Sequence, residues 1–252
     1  PGGLYTAPSD RALRYDVWFT RHLGFNMLRK HVKVAPRRWY YWCDKLGVLV
    51  MQDMPNGSRE GYETQEARAQ FERELKRMVQ QNDARPSIIC WCIFNEGWGQ
   101  YDAKRLTKKL RGWDSSRLID SASGGPDPGV GDLNDIHDYP GPSSPKPEQD
   151  RAAVLGEWGA FGLSIDGHMW KTLYEEGCWG GVYDTREGLT QRLLRDFRKL
   201  RQLRDEQGLS GAILTQHADQ ETEGDGMLTY DRAVVKPICP RISEAARKVR
   251  RR

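Results

Sequence analysis

Two carboxylates stand where apolar segments of the sequence end. Glu96 comes directly after Asn95 at the end of the run SIICWCIFN, and Glu157 follows AAVLG. In retaining glycoside hydrolysis, two carboxylates about 5–5.5 Å apart divide the work: one attacks the anomeric carbon, and the other protonates the leaving oxygen and later activates water. A single glutamate at a strand end more often caps a helix or pairs with arginine. Two of them, beside Trp98 and Trp158, favour catalysis.

The residues around these acids suit a sugar. Aromatic rings pack against the C–H faces of a pyranose, and its hydroxyls need fixed polar partners. Aromatic faces are expected from Trp98, Tyr139, Trp158 and Trp179, although each could equally belong to the core. Polar partners are expected from Arg29, His31, Asp53, Asn95, Asp120, His137 and Gln216. These residues define a predicted substrate-binding site around Glu96 and Glu157.

The two histidines also raise a metal site as an alternative. A lone histidine at a strand end is more often structural than catalytic, so His31 and His137 gain weight only from their neighbours. Histidines among several acids would fit a metal hydrolase. Neither HxH nor HExxH spacing occurs in the sequence, so a metal hydrolase stays a minor alternative. We expect neither a metal nor an organic cofactor.

The elements that must position these residues alternate between strands and helices. Apolar runs predict seven strands, within 25–31, 48–53, 87–96, 117–123, 135–139, 152–158 and 210–216. Helical periodicity and capping residues predict helices over 9–24, 35–47, 64–83, 102–113 and 186–208, with a last one in the basic C-terminal segment. Alternation of this kind implies a parallel sheet.

The positions of the polar residues decide between two parallel architectures. Each candidate falls near the C-terminal end of a different strand, and a closed barrel gathers all of those ends around one mouth. An open doubly wound sheet concentrates function at one switch point instead. No glycine-rich phosphate fingerprint follows an early strand either. We therefore predict an α/β fold, a (β/α)8 TIM barrel, as one domain over residues 1–252, with its first strand expected before Pro1.

Composition bounds the partners and the compartment. The net charge of +4 comes from 39 basic and 35 acidic residues, and much of the excess lies in the segment 246–252, where cations suit a helix end. We therefore expect no nucleic-acid partner. No apolar run approaches the roughly 20 residues that cross a bilayer, and the opening residues show no signal-peptide pattern. Five cysteines without metal spacing indicate buried free thiols, which favours a reducing compartment such as the cytoplasm.

Several segments together resemble glycoside hydrolase family 2, the family of β-galactosidases, β-glucuronidases and β-mannosidases. The second and third strand region of that family is similar to GFNMLRKHVKVAPRRWYYWCDKLGVLVMQDMP, residues 24–55. Its acid/base signature, in which an Asn-Glu pair ends strand four, resembles RPSIICWCIFNEGWGQ, residues 85–100. Its nucleophile strand resembles AAVLGEWGAFG, and its sixth and eighth strand regions resemble DIHDYPGP and, more loosely, GAILTQHADQETEGDGMLTYDR.

The resemblance implies a role for each matching residue. Glu96 would be the general acid/base and Glu157 the nucleophile, while Asn95 would hydrogen-bond the sugar 2-hydroxyl. Arg29 and Tyr139 would hold Glu157 ionised and oriented, because a nearby cation lowers a carboxylate pKa. The sugar subsite would be lined by His31, Asp53 and His137.

The expected function is that of a retaining, exo-acting, β-galactosidase-like glycosidase with a carbohydrate substrate. An endo-acting β-glycanase of the same clan and a non-catalytic carbohydrate-binding remnant stay open as alternatives. The β-sandwich domains that normally precede the barrel in this family are not among these 252 residues. An unpaired barrel edge would favour a homo-oligomer. Gln216 stands where many relatives place a tryptophan, which leaves the choice of sugar open.

Overall fold

Helices and strands alternate along the chain. The computed structural model describes residues 7–56, 62, 64–139, 141–170 and 177–250. Its helices are α1 Asp10–His22, α2 Arg37–Leu46, α3 Gln65–Asn82, α4 Ala103–Trp113, α5 Arg186–Gln207 and α6 Cys239–Arg250. Its strands are β1 Met27–Lys30, β2 Leu49–Asp53, β3 Ile88–Cys92, β4 Leu118–Asp120, β5 Leu133–His137, β6 Ala152–Gly159, β7 Phe161–Gly162, β8 Gly181–Val182 and β9 Gly211–Thr215.

The helix ends follow local sequence chemistry. α1, α3 and α5 begin after Ser9, Thr64 and Thr185, whose side-chain oxygens accept a hydrogen bond from a backbone N–H three residues on. This contact satisfies one of the N–H groups that the first helical turn leaves free. α2 and α5 end at Gly47 and Gly208, which adopt φ values of 65° and 75°. Glycine enters this left-handed region without the steric cost that a Cβ brings.

The major strands are all parallel and form two sheets. One sheet has the order β1-β2-β3-β4 and the other β5-β6-β9. Between them, the N–H of Asp132 donates to the carbonyl of Ile119 at 2.8 Å, and an isolated antiparallel bridge joins Asp120 to Gly131. β1 and β9 are the outermost strands of this arrangement among the described residues. The carboxyl ends of all seven strands therefore lie along one rim.

Helices cover the outside of the strands in two apolar layers. The first layer packs α2, α3 and α4 around the strand residue Trp91, and the second packs α5 and α6 around Trp158. α1 takes part in both, because Val17 belongs to the first layer and Phe19 to the second. A smaller cluster lies between the strands and consists of Met51, Cys90, Cys92, Leu133 and Val154. α1 thus ties together the two halves that the strand order separates.

The parallel α/β alternation predicted from the sequence is confirmed. The seven predicted strands correspond to β1–β6 and β9, and the six predicted helices to α1–α6. The short β7–β8 pair was not predicted, because two-residue strands carry no periodic signal. The expected strand before Pro1 and the last residues of the basic segment, 251–252, lie outside the described residues. Among the described helices, none combines the length and the apolar character needed to span a bilayer.

Candidate active site

The carboxyl ends of five strands bring together most of the predicted site residues. Arg29 lies in β1, Asp53 ends β2, His137 ends β5 and Glu157 lies in β6. Asn95 follows β3 and forms a parallel bridge with Ser123 beyond β4, so those two strands continue their pairing up to the site. The side chains meet because parallel strands present their carboxyl ends at the same rim.

Arg29 is the centre of this cluster, and its side chain is 2% exposed. Its Nε lies 3.1 Å from both carboxylate oxygens of Asp53, and Nη2 donates to Asp53 at 2.9 Å and to Asn95 Oδ1 at 2.7 Å. Nη1 donates to Glu157 Oε1 at 3.0 Å and to the Gly156 carbonyl at 3.3 Å. Burial acts to lower the pKa of Arg29, but the carboxylates of Asp53 and Glu157 raise it well above its usual value.

Glu157 is buried and held by donors on several sides. Besides Arg29, it accepts a hydrogen bond from the hydroxyl of Tyr139. The rings of His137 and His31 approach its two oxygens at 3.7 Å and 3.8 Å. Burial alone would raise the pKa of Glu157, but Arg29, and after it the two histidines and Tyr139, lower it. Glu157 is therefore a carboxylate at neutral pH, the form that a nucleophile needs.

Tyr139 stays a donor to that carboxylate. Burial, and then the negative charge of Glu157, raise the pKa of Tyr139 well above its usual value. The exposed indole of Trp179 lies against this tyrosine, with ring centroids 5.0 Å apart and a relative exposure of 57% for the tryptophan. A large aromatic face is thus open to solvent next to the buried carboxylate.

Glu96 has a different environment from Glu157. Its side chain is 32% exposed, and its Oε1 lies 3.0 Å from Nδ1 of His137. Its backbone adopts a φ of 51°, a left-handed conformation that non-glycine residues rarely take and that occurs at functional sites. One carboxylate oxygen each of Glu96 and Glu157 lie within 4.8 Å of each other. The two acids that the sequence singled out therefore face one space.

Asn95 offers an unused donor to that space. The residue is 1% exposed. Its Oδ1 accepts from Arg29, but its Nδ2 has no hydrogen-bond partner among the described residues. A buried N–H group without a partner is uncommon in native proteins and calls for an acceptor that the described residues do not supply.

A metal ion is the other ligand this geometry could accept. One ligand atom each from Glu96, His137 and Glu157 lie within 4.8 Å of one another. Arg29, however, already lies 3.0 Å from Glu157 and supplies the positive charge that a metal would bring. A second cation beside this fixed one would be repelled. The donor set fits a polar organic molecule better than a metal ion.

The remaining predicted residues lie at varied distances from the two acids. The imidazole of His31 is about half exposed at the rim. Trp98 is half-buried in the loop after Glu96, where its carbonyl accepts from Asn56 at 3.1 Å. Gln216, just past β9, donates from Nε2 to Glu223 at 2.9 Å and to Asp225 at 2.6 Å.

The structure corrects the expectation for Trp158. Its side chain is 1% exposed and packs edge-on against the rings of Phe161 and Phe197 in the core. Successive residues of a strand point to opposite faces, so with Glu157 directed into the site, its neighbour is directed away from it. Trp158 therefore supports β6 from behind and offers no face to a sugar.

Asp120 is a second buried acid at a strand end. Asp120 pairs in register with Cys92, three residues before Asn95, and is 1% exposed. Asp53 pairs with the same residue, so the two acids lie at one level of the sheet. Burial, and then the neighbouring carboxylate of Asp135, raise the pKa of Asp120 well above its usual value. The contact of Asp120 with a substrate stays a prediction.

Sequence reasoning missed Ser123 and Asp135. Nε2 of His137 lies 3.0 Å from Oγ of Ser123, which donates to Oδ2 of Asp135 at 2.6 Å. The other oxygen of Asp135 accepts from the N–H of Gly156 at 2.6 Å. Both residues lie within predicted strands, and Asp135 precedes His137 by two positions. That period-two spacing, which places both side chains on one face, was the available signal.

Comparison with known proteins adds sequence and fold relatives. The family model described as glycosyl hydrolases family 2, TIM barrel domain, matches residues 7–140, just over half of the chain. A β-galactosidase from Klebsiella pneumoniae is 29% identical over 174 residues, covering 60% of this chain and 17% of its own length. The chain spans less than a fifth of the length of the curated relatives that it matches.

Solved structures show the same fold at low sequence identity. A family 2 β-galacturonidase from Eisenbergiella tayi, bound to galacturonate, superimposes with a TM-score of 0.71 at 15% identity, covering 96% of this chain and 48% of that one. A β-glucuronidase from an uncultured Clostridium species gives a TM-score of 0.68 at 18% identity, covering 95% and 47%. These values establish the architecture of the seven parallel strands and their helices.

Proposed function

The chain belongs to glycoside hydrolase family 2 and has the parallel α/β fold of that family's TIM barrel, and from this premise we propose that its strand-end cluster hydrolyses β-glycosidic bonds. The observation that carries the proposal is the approach of Glu96 and Glu157 to within 4.8 Å of each other. The two acids are thus no farther apart at these oxygens than the roughly 5–5.5 Å of retaining enzymes, and well inside the roughly 6.5–9.5 Å of inverting ones.

In the first half-reaction, Glu157 attacks the anomeric carbon. Arg29 and Tyr139 hold its carboxylate ionised and oriented. As the bond from Glu157 to the sugar forms, the bond to the leaving oxygen breaks, and Glu96 gives that oxygen a proton. The more exposed position of Glu96 suits this role, because the leaving group and then water must reach it.

In the second half-reaction, Glu96 acts as a base. It takes a proton from water, the water oxygen attacks the anomeric carbon, and Glu157 leaves as a carboxylate. Arg29 keeps its contacts to Asp53 and Asn95 throughout, so the charge that returns to Glu157 meets a donor that is already in place. Such preorganised donors stabilise charge without reorganisation.

The substrate contacts follow from the unused groups around the acids. We assign the free Nδ2 of Asn95 to the sugar 2-hydroxyl, a bond that strengthens in the transition state. His31 borders the same space, with its imidazole 3.8 Å from Glu157. We assign Trp98, two residues after Glu96, to the apolar face of the sugar. The exposed face of Trp179 suits the apolar side of the leaving group. The Oε1 of Gln216 is assigned to another sugar hydroxyl.

The charges around the acids favour a neutral hexoside over a uronide. The five N–H groups of Arg29 are directed at Asp53, Asn95, Glu157 and the Gly156 carbonyl. This guanidinium thus has no donor left for a sugar carboxylate. The β-galactosidase name of one relative supports a neutral sugar, and we propose an exo-acting enzyme on such a sugar for this chain.

The test compares the purified chain with a Glu157→Gln variant on a panel of p-nitrophenyl β-glycosides and a β-linked polysaccharide. The parent is expected to release p-nitrophenol from a neutral β-hexoside with retained anomeric configuration, read by NMR. The variant is expected to lose at least about 10³-fold in kcat. Glu187→Gln, which alters an exposed ion pair with Arg241, is the matched control and should keep full activity.

Three outcomes would contradict the proposal in different ways. Equal rates for the parent and Glu157→Gln would reject the nucleophile. A parent that cleaves polysaccharide in preference to aryl glycosides would reject exo action in favour of an endo-acting glycanase. A parent that binds sugar without turnover would be a carbohydrate-binding protein.

A further inference from the structure

Resting on the proposed function, we propose that Ser123 and Asp135 are positioning residues that fix the proton of His137 on Nε2, so that its Nδ1 can share a proton with the acid/base Glu96. The four side chains form one hydrogen-bonded chain from the exposed acid to the buried interior. Neither Ser123 nor Asp135 touches the space between the two glutamates, so both would act through His137.

The contacts of His137 divide cleanly between its two ring nitrogens. Nδ1 faces carboxylates, with Glu96 Oε1 at 3.0 Å and Glu157 Oε2 at 3.7 Å. Nε2 faces Ser123 Oγ at 3.0 Å and Arg29 Nη1 at 3.4 Å. The hydrogens of Arg29 Nη1 have closer acceptors in Glu157, at 3.0 Å, and the Gly156 carbonyl, at 3.3 Å. Ser123 is therefore the effective partner of Nε2.

The donors and acceptors in this hydrogen-bonded chain determine the tautomer of His137. A serine hydroxyl has one proton to donate, and that of Ser123 goes to Asp135 Oδ2 at 2.6 Å. At its other contact Ser123 must accept, so Nε2 of His137 must carry a proton. Asp135 is an acceptor on both oxygens, because the N–H of Gly156 donates to Oδ1 at 2.6 Å.

The neighbouring acid Asp120 is consistent with this tautomer of His137. Its own carboxyl is buried, and burial together with the charge of Asp135 raises its pKa well above the ordinary value. Of the two neighbouring acids, Asp120 is thus the one that burial and the nearby charge favour in its protonated form. Asp135 accepts a hydrogen bond on each oxygen at the end of the chain, the place that the orienting carboxylate takes in an Asp–His pair.

Two glycines leave room for the side chains of this hydrogen-bonded network. A Cβ on Gly124 would lie 2.3 Å from the ring of His137, and a Cβ on Gly156 would lie 2.2 Å from Oδ2 of Asp135. Both distances are far below the closest approach of a Cβ atom to a non-bonded atom. Side chains at these positions would displace His137 and Asp135, so the strand ends are shaped to admit them.

With Nε2 protonated, the proton between Nδ1 and Glu96 can lie on either atom. In its acid form Glu96 is oriented by its hydrogen bond to Nδ1. That proton passes to the leaving oxygen, and Glu96 later takes one from water and regains the bond. If the proton of His137 were fixed on Nδ1 instead, Glu96 could only accept from the ring. The Nδ1–H would then stabilise the ionised form of Glu96 and leave less of the protonated acid for the first half-reaction.

Asp135→Asn tests the position of the His137 proton directly. The substitution is nearly isosteric and reverses the direction of the hydrogen bonds from residue 135 to His137. The new amide would donate to Ser123, Ser123 would donate to Nε2, and the ring proton would move to Nδ1. We expect kcat/KM to fall about 10²-fold for a p-methoxyphenyl glycoside, whose leaving group needs a proton. For the 2,4-dinitrophenyl glycoside, whose leaving group does not, kcat/KM is expected to change less than about threefold.

Two further variants keep the result interpretable. Ser123→Ala breaks the same chain and should also slow only the poor leaving group. Ser121→Ala removes a buried hydroxyl of the same segment that donates to the Val130 carbonyl at 2.8 Å, and it should leave the ratio between the two substrates unchanged. Equal losses on both substrates in Asp135→Asn and Ser123→Ala would overturn the inference.

A spectroscopic measurement separates this inference from the proposed function. ¹⁵N NMR of the imidazole should show a proton on Nε2 in the parent and on Nδ1 in Asp135→Asn, whether or not the chain turns over a glycoside. An inactive parent with the Nε2–H form would reject the glycosidase and retain the positioning chain. A parent ring protonated on Nδ1 alone would reject the chain itself.

Discussion

Two regions of the molecule bury a cation among carboxylates, with opposite results. The Arg29 cluster consists of Arg29, Asp53, Asn95 and Glu157, at the ends of β1, β2, β3 and β6. The Lys236 cluster lies beyond β9 and consists of Gln216, Asp219, Glu223, Asp225 and Lys236. In the first, the pKa of Glu157 is lowered; in the second, the pKa of Asp225 is raised to about 7 and that of Asp219 is also raised.

The difference comes from how each cation distributes its hydrogen bonds. Arg29 spreads a planar fork over two carboxylates and an amide. Lys236, which is fully buried, reaches Asp219 at 2.6 Å and the Gly224 carbonyl at 2.8 Å. The Oδ2 atoms of Asp219 and Asp225 have no hydrogen-bond partner among the described residues. Burial is common to both clusters, so the geometry of the cation decides which acids stay charged.

The largest expected effect distinguishes the two cations. Arg29→Met would leave Asp53 and Glu157 buried without their cation. We expect the free energy of unfolding to fall by about 3–5 kcal/mol and glycosidase activity to be lost. Lys236→Met should cost less, because Asp219 already has a raised pKa and needs only one proton to become neutral. Urea unfolding at pH 5 and pH 7 measures both variants.

The pH dependence of these two stability losses distinguishes the two cations more clearly than the size of the losses does. The cost of Lys236→Met should shrink as the pH falls, because the raised pKa of Asp219 lets this acid take up a proton at a higher pH than an ordinary carboxyl group. The cost of Arg29→Met should remain the larger one at both values, because two carboxylates lose their partner. Equal costs for the two variants at both pH values would mean that the cations act alike.

The contrast also marks what the sequence can predict. Apolar runs and helical periodicity locate the seven strands, and an acid directly after such a run is a visible signal, as with Glu96. The Arg29 cluster could be predicted because each member stands at the end of a strand. The Lys236 cluster could not, because its members are scattered over a loop without periodicity. A lysine is also almost never fully buried, and nothing in the local sequence sets Lys236 apart.

Two details of the site show where residue-level prediction fails. Glu157 and Trp158 were both expected in the site, but neighbours in a strand face opposite sides, and only the folded chain decides which one faces inward. The link from His137 through Ser123 to Asp135 depends on distances between different strands. Such distances are set by register and twist, which the sequence of a single strand does not specify.

A second prediction concerns the sign of the pH effect in each cluster. The pKa of Asp225 is about 7 in the folded chain, against about 3.9 when unfolded. The stability that its bound proton contributes is present below about pH 4 and is lost as the pH rises through 7. Relative to Asp225→Asn, the parent should therefore lose up to about 4 kcal/mol between pH 4 and pH 8. Urea unfolding across this range measures the difference.

Glu157 provides the opposite sign as a control. Its pKa is lowered in the folded chain, so its contribution is present above its unfolded pKa and is lost as the pH falls through the folded one. Relative to Glu157→Gln, the parent should gain stability as the pH rises from acid to neutral. If the stability of the parent relative to Asp225→Asn and relative to Glu157→Gln changed with pH in the same direction, the distinction between the two clusters would be rejected.

The smallest expected effect tests whether the Lys236 cluster reaches the substrate through Gln216. The Nε2 of Gln216 is bound to Glu223 and Asp225, which fixes the direction of its Oε1. If that oxygen accepts a sugar hydroxyl, Gln216→Ala removes one hydrogen bond worth about 0.5–1.5 kcal/mol. KM for the p-nitrophenyl hexoside should then rise about 2–10-fold. The kcat should be unchanged, because the contacts of Glu157 that we describe do not include Gln216.

Gln220→Ala, at an exposed position of the same loop, serves as the control in the same initial-rate assay. An unchanged KM in Gln216→Ala, together with a lowered melting temperature, would assign Gln216 to the stability of the Lys236 cluster and leave recognition of the sugar to the Arg29 cluster.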